Sequence, residues 1–149
     1  MIWLPDGIAG DDTSGHVDDF VRFVAPGKVV LCSAPPSDPA NHRALSAARE
    51  VVLGVRDARG RRLEVIPLPL PDPVHYGQLR LPASYANFYI GNQVVLVPTF
   101  NDAADRQALG LLAELFPKRR VVGIYARDLV LGLGTLHCST MQQPLSAAE

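Results

Sequence analysis

Val29–Ala34 reads VVLCSA and Gln93–Pro98 reads QVVLVP. Each is a short apolar run preceded by turn chemistry: Ala25-Pro26-Gly27-Lys28 before the first, Gly91-Asn92 before the second. Runs of this length and composition read as buried strands. Laying VVLC on VVLV gives an offset of 65 residues. The surroundings then repeat in order. DFVRFV (Asp19–Val24) and SYANFYI (Ser84–Ile90) read as preceding strands. After Pro35–Pro39, the spacing of Ala40, Ala44, Leu45, Ala48, Val51 and Val52 predicts a helix. After Asn101-Asp102, Leu109, Leu112, Ala113 and Phe116 predict a second helix. RRLEVIPL, with alternating Leu63, Val65 and Pro67, and RVVGIYA read as closing strands. The pattern is two ββαβ units, about 20–68 and 84–126, joined by the Pro- and Gly-rich PLPDPVHYGQLRLPA. Their tight turns demand antiparallel hairpins, which disfavours a doubly wound parallel sheet. Two units are few for a repeat array, which needs about three to bury its faces.

The 149 residues make one domain's worth of chain, 48% apolar and 19% charged. That is globular composition. A net charge of −1 excludes the basic footprint of a general nucleic-acid binder and a polybasic membrane patch. No apolar stretch reaches the roughly 18 residues of a spanning helix, and MIWLPDGIAGDD lacks the basic n-region of a signal peptide. Two cysteines do not make a disulfide framework. A cytoplasmic protein with reduced thiols is expected.

Cys32 lies inside an apolar strand, where a cysteine acts as a small hydrophobe. Cys138 follows a Gly-rich stretch and His137 and precedes Ser139 and Thr140, a better setting for a reactive thiol. In an extended chain His16 and Asp18, at i and i+2, share one side. A cysteine with a remote histidine outlines a nucleophile and base; a solvated Asp/Gly loop is the plainer alternative. His16, Asp18, His137 and Cys138 are also four metal-ligand types, but they lack the paired spacings of structural zinc. GLGTLH is not a dinucleotide fingerprint, and Asp11–Gly15 lacks the distal Glu of an EF-hand.

Taken together, GDDTSGHVDDFVRFVAPG (10–27), LPASYANFYIGNQVVLVPTFND (81–102) and GLGTLHCSTMQQP (132–144) resemble the C-terminal half of an agmatine deiminase, within the bacterial-type peptidylarginine deiminase family. The resemblance implies a partial pentein-type α/β-propeller: about two of five ββαβ modules, plus a terminal strand. It implies hydrolysis of agmatine to N-carbamoylputrescine and ammonia through a cysteine thiouronium intermediate, a step towards putrescine, with no cofactor and no metal. By the same resemblance Cys138 is the nucleophile, His16 the general acid/base, Asp18 the carboxylate that grips the guanidinium, and Asn87 a further substrate-site residue. Protein-bound arginine is an alternative substrate, and a catalytically silent remnant or assembly module of the same fold an alternative role. The expected partners are the small guanidino substrate, with neither nucleic acid nor membrane, and further copies of the chain through uncovered propeller faces. Relatives run to more than twice this length, and the absent half would carry the tryptophan-lined channel and a second guanidinium-binding Asp. The family's Gly-Gly-Gly-Asn-Ile-His-Cys run is altered: Leu133 replaces a glycine and Thr135 the asparagine. Ser14 stands where the family commonly has Asp.

Overall fold

A computed structural model describes residues 1–12 and 15–143; Ser14 lies outside them. Val21–Ala25 (β1) and Lys28–Ser33 (β2) form an antiparallel hairpin. Gly27 turns it at φ 80°, a conformation glycine adopts without a Cβ penalty. Helix α1 (Pro39–Gly54) then crosses over, and Glu64–Pro69 (β3) pairs parallel to β2. The second unit follows the same route. Tyr89–Ile90 (β6) pairs antiparallel with Val94–Thr99 (β7), α2 (Asp105–Leu115) crosses, and Arg120–Tyr125 (β8) pairs parallel to β7. The result is two mixed three-stranded sheets, ordered β1-β2-β3 and β6-β7-β8. Between them lies a small hairpin, His75–Tyr76 (β4) with Leu79–Arg80 (β5), inside a stretch that reads as loop in the sequence. No helix among the described residues is long and apolar enough to cross a membrane.

β2 is buried at four successive residues, Val29–Cys32, because it is the central strand and both its faces are covered. α1 packs through Ala44, Leu45, Ala48 and Val52, and α2 through Ala108 and Leu112. Two details of the expected helix faces change. Ala40 and Ala113 are exposed, while Asn41 turns inward. Asn41 is held there by its own bonds: Oδ1 accepts from the Ala9 backbone N–H at 2.7 Å, and Nδ2 donates to Asp38 at 2.8 Å.

Two expectations are overturned. Ser84–Ile90 is not a strand. Leu81–Phe88 is an irregular run of eight consecutive buried residues, and only Tyr89–Ile90 pairs. Its backbone is satisfied by side chains instead: Ser84 Oγ accepts from the Ala86 N–H at 3.0 Å, and Arg22 donates to the Ala86 and Phe88 carbonyls at 3.1 and 2.8 Å. An irregular segment stays buried only when its polar backbone groups find such partners. There is also no terminal strand among the described residues. After β8 the chain makes a 3-10 turn, Leu129–Gly132, and runs on irregularly.

A polar clip ties three parts of the fold together. Arg80, on β5, forks both nitrogens onto Asp38 at the head of α1, at 2.9 and 2.6 Å, and Asp38 also holds Asn41, which holds the N-terminal segment. The Arg80 bonds, working against partial burial, hold the Asp38 carboxyl below its usual pKa. Bonds to charged groups contribute about 1.5–3 kcal/mol. Asp38→Ala is therefore expected to lower the melting temperature by several degrees at pH 7. A folded-state pKa below the unfolded one means the contribution is full above about pH 4 and fades as pH falls through the depressed value. The gap between wild type and variant should narrow progressively as pH falls below about 4 in thermal melts; a gap unchanged by acid would contradict the ion-pair account.

Candidate active site

Three segments far apart in sequence converge on one side chain. Asn87 sits in the buried irregular run and is 1% exposed. Its Oδ1 accepts from the backbone N–H of Thr135 (3.0 Å), His137 (3.1 Å) and Cys138 (3.3 Å), and from the Thr135 hydroxyl (2.9 Å). Its Nδ2 faces the other way, onto Asp19 Oδ1 (2.8 Å), Asp18 Oδ2 (3.1 Å) and Cys138 Sγ (3.1 Å). Donors on one side and acceptors on the other leave the amide a single sensible orientation. The backbone follows suit: the Asn87 carbonyl accepts from the His137 N–H at 3.1 Å.

Asp18 is the second hub. Its Oδ2 takes the Cys138 thiol at 3.2 Å and His137 Nδ1 at 2.7 Å. Burial opposes its charge, but the bonds from His137 and Cys138 outweigh that and hold its pKa below the usual value. Asp19 behaves oppositely. It is 1% exposed, and its Oδ2 has no hydrogen-bond partner among the described residues. Burial, with the charges of Asp18 and Asp11 beside it, pushes its pKa up to about 7. The Cys138 thiol is also raised, by desolvation and by the two aspartates, against the lowering effect of Asn87. Asp18, Asp19 and Cys138 thus bring two carboxylates and a sulfur within 4.8 Å of one another, a spacing that suits a cation, metallic or organic.

The structure brings Cys138, Asp18 and Asn87 into direct contact; it does not bring in His16. Val17–Asp19 forms a 3-10 turn, not an extended stretch, so residues 16 and 18 no longer share a side. His16 caps that turn and is exposed; its backbone N–H donates to Asp11 at 2.7 Å, and its ring bonds to no described residue. It lines a neighbouring cleft of about 540 Å³ with Trp3 and Asp11, a cleft that Asp18, Asn87 and Cys138 do not line. Cys32 is fully buried, and its thiol is pushed up to about 12 by desolvation, in keeping with a packing role.

Sequence reasoning missed four residues here. His137 counts there only as a metal-ligand type, yet it holds Asp18; its place beside Cys138 is the signal that could have raised it. Thr135, an altered position, supplies two of the four donors on Asn87. Asp19 and Arg22 carry no motif of their own.

The chain is similar to known proteins over nearly its whole length. The family model for Porphyromonas-type peptidyl-arginine deiminase matches residues 1–144. An agmatine deiminase of Ectopseudomonas mendocina (strain ymp) is 38% identical over 162 aligned positions, covering 97% of this chain and 44% of the relative. One of Pseudomonas putida (strain F1) is 39% identical with the same coverage. Among solved structures, the agmatine deiminase of Enterococcus faecalis superposes with a TM-score of 0.89 at 33% identity, over 96% of this chain and 44% of that one. A C. jejuni agmatine deiminase with a cysteine-to-serine change and substrate bound gives 0.82 at 31%, over 93% and 40%. The chain therefore spans less than half the length of the relatives it matches. With a family match over almost its whole length, and the fold of solved agmatine deiminases, it belongs to the Porphyromonas-type peptidyl-arginine deiminase family of hydrolases.

Proposed function

We propose that this site hydrolyses a guanidinium C–N bond, taking agmatine to N-carbamoylputrescine and ammonia. The observation that carries the reading is the contact of Cys138 Sγ with Asp18 Oδ2 at 3.2 Å beside Asn87 Nδ2 at 3.1 Å. A thiol donating to a carboxylate is held protonated. A planar cation changes that. A guanidinium N–H taking over Asp18 displaces the S–H, and its positive charge favours the thiolate. Asp18 then fixes the cation while Sγ lies beside its carbon. The thiolate attacks that carbon and forms a C–S bond; a nitrogen takes up a proton and leaves as ammonia. Water adds to the resulting thiouronium carbon, the C–S bond breaks, and the ureido product departs with the thiolate restored. By the family resemblance His16 is assigned the proton transfers, protonating the departing nitrogen and then deprotonating water. Asn87 holds the nucleophile loop and donates to the sulfur.

The same reading includes closure of a five-module propeller, of which this chain would supply two modules. β1, β3, β6 and β8 are sheet edges, and Ile124, Tyr125, Leu129 and Leu131 are exposed. Uncovered edges and apolar surface invite association. Self-association of the 149-residue chain in light scattering is the expected result, and a clean monomer at micromolar concentration would refute the open-ring picture.

The cation site is tested without requiring turnover. Chloroacetamidine carries a planar cation beside its alkylating carbon; chloroacetamide has the same shape without charge. The cation is expected to label Cys138 at least about tenfold faster, as a charge-assisted contact worth more than about 1.4 kcal/mol implies. Asp18→Asn should erase that preference, and a chelator should leave it unchanged. Equal rates on the wild type would sink the guanidinium reading, and loss with chelator restored by zinc would replace it with a metal site.

For the reaction itself, Cys138→Ser is expected to abolish ureido-product formation, while Cys32→Ser leaves it nearly intact. Agmatine, free arginine and peptidyl arginine compared in one colorimetric assay decide the substrate. Product from peptidyl arginine alone would replace agmatine by the protein substrate, and equal loss in the two cysteine variants would make Cys138 structural.

A further inference from the structure

Arg22 lies on β1 with its side chain turned behind the site. Its Nη1 donates to the carbonyls of Ala86 at 3.1 Å and Phe88 at 2.8 Å, the residues on either side of Asn87. Its guanidinium stacks over the Phe88 ring, 4.7 Å from the centroid. Phe88 in turn is fully buried and packs edge-on against Phe116, centroid to centroid 6.0 Å. The cation is thus gripped by neutral groups, two carbonyls and one ring face, and its charge is left to act on what lies nearby. Burial lowers the Arg22 pKa, and Asp18, Cys138 when it is a thiolate, and Asp19 act against that lowering.

The two carbonyls matter because Asn87 lies between them. A peptide carbonyl pinned on each side fixes the backbone at residue 87, and with it the direction of the Asn87 side chain. That side chain carries the donors that hold the Thr135–Cys138 loop and touch Sγ. We infer that Arg22 is a positioning residue for the reacting thiol: it clamps the Asn87 backbone from behind and supplies a fixed positive charge to the carboxylate–thiol cluster. It does not touch the reacting atoms and is not a catalytic residue. Among the described residues, Asp18 and Asn87 touch Cys138, His137 acts through Asp18, Asp19 acts through its charge, and Arg22 is coupled to the thiolate form.

The proposal rests on Cys138 as the reacting thiol, but its test does not require deiminase turnover, so a silent chain leaves it decidable. The 149-residue chain is alkylated with iodoacetamide across pH 6–10, and modification of Cys138 and Cys32 is followed separately by peptide mass spectrometry. Cys32, buried, reports whether each variant stays folded. Arg22→Gln keeps a donor and removes the charge; the midpoint for Cys138 is expected to rise by about one pH unit, the usual scale for loss of a nearby opposite charge. Arg22→Lys keeps the charge but is a compact point charge that cannot lie flat on Phe88; a smaller rise, about a third to a half of a unit, is expected. A wild-type profile in a folded Arg22→Gln chain overturns the proposal. Should Cys32 become reactive in that variant, Arg22→Lys decides: a raised midpoint supports the clamp, and an unshifted one overturns it.

Discussion

The arrangement of the site depends on one side-chain amide. Asn87 accepts four hydrogen bonds from Thr135, His137 and Cys138 on one side and donates towards Asp18, Asp19 and Cys138 on the other. A buried amide with this many partners is costly to rotate or remove, because each lost bond would strand a polar group. It therefore sets the distance between the loop that carries the thiol and the turn that carries the carboxylates. The surrounding oddities follow from it. The run around it is buried without forming a strand, Ser84 and Arg22 cap the backbone groups that a strand would have paired, and Thr135 is packed away at 1% exposure to reach the amide oxygen.

This constraint places like charges side by side. Asp18 and Asp19 are successive residues of one 3-10 turn, and the amide draws both inward. Only one of them remains comfortably ionised. Asp18 receives the His137 and Cys138 donors and stays charged; Asp19, more deeply buried and with an oxygen unpartnered among the described residues, rises to about 7. The thiol responds to the same field by holding its proton. Two carboxylates and a thiol gathered this closely repel as anions, and a cation beside Asp18 would offset that repulsion. On the proposed reading, a guanidinium at Asp18 would both offset this repulsion and favour the thiolate.

The sequence carries the fold at the level of units and the site at the level of motifs. Apolar runs such as Val29–Cys32, buried throughout, and Val94–Val97, alternately half-buried and buried, are legible because central strands keep little contact with water. The helices are legible from spacing, with errors where Ala40 and Ala113 face outward and Asn41 is drawn inward by a bond. Ser84–Ile90 misleads because its aromatic and β-like composition serves core packing of Tyr85 and Phe88, while its backbone polarity is met from elsewhere. The expected pairing of His16 with Asp18 fails because it assumes extended chain where a 3-10 turn forms. Arg22 and Asp19 were illegible since their roles exist only through contacts some 65 residues away in sequence, as the bonds from Arg22 to Ala86 and from Asn87 to Asp19 show.

The altered glycine run shows how such contacts grade substitutions. Leu133 takes the left-handed conformation, φ 63° and ψ 22°, which costs a non-glycine residue roughly 1–2 kcal/mol. Its side chain recovers part of that by packing against the core. The leucine is thus accommodated in a backbone conformation that glycine adopts freely. Gly134 is different. A Cβ there would lie 2.6 Å from Cys138 Cβ and 2.7 Å from its sulfur, closer than packed atoms come, and the sulfur is already fixed by Asn87 and Asp18. Strain at residue 133 can be offset by burial; a collision at residue 134 can be relieved only by moving the thiol off its partners. Of two neighbouring positions, the one in the unfavourable backbone conformation accepts a side chain, and the one beside the sulfur has no room for one.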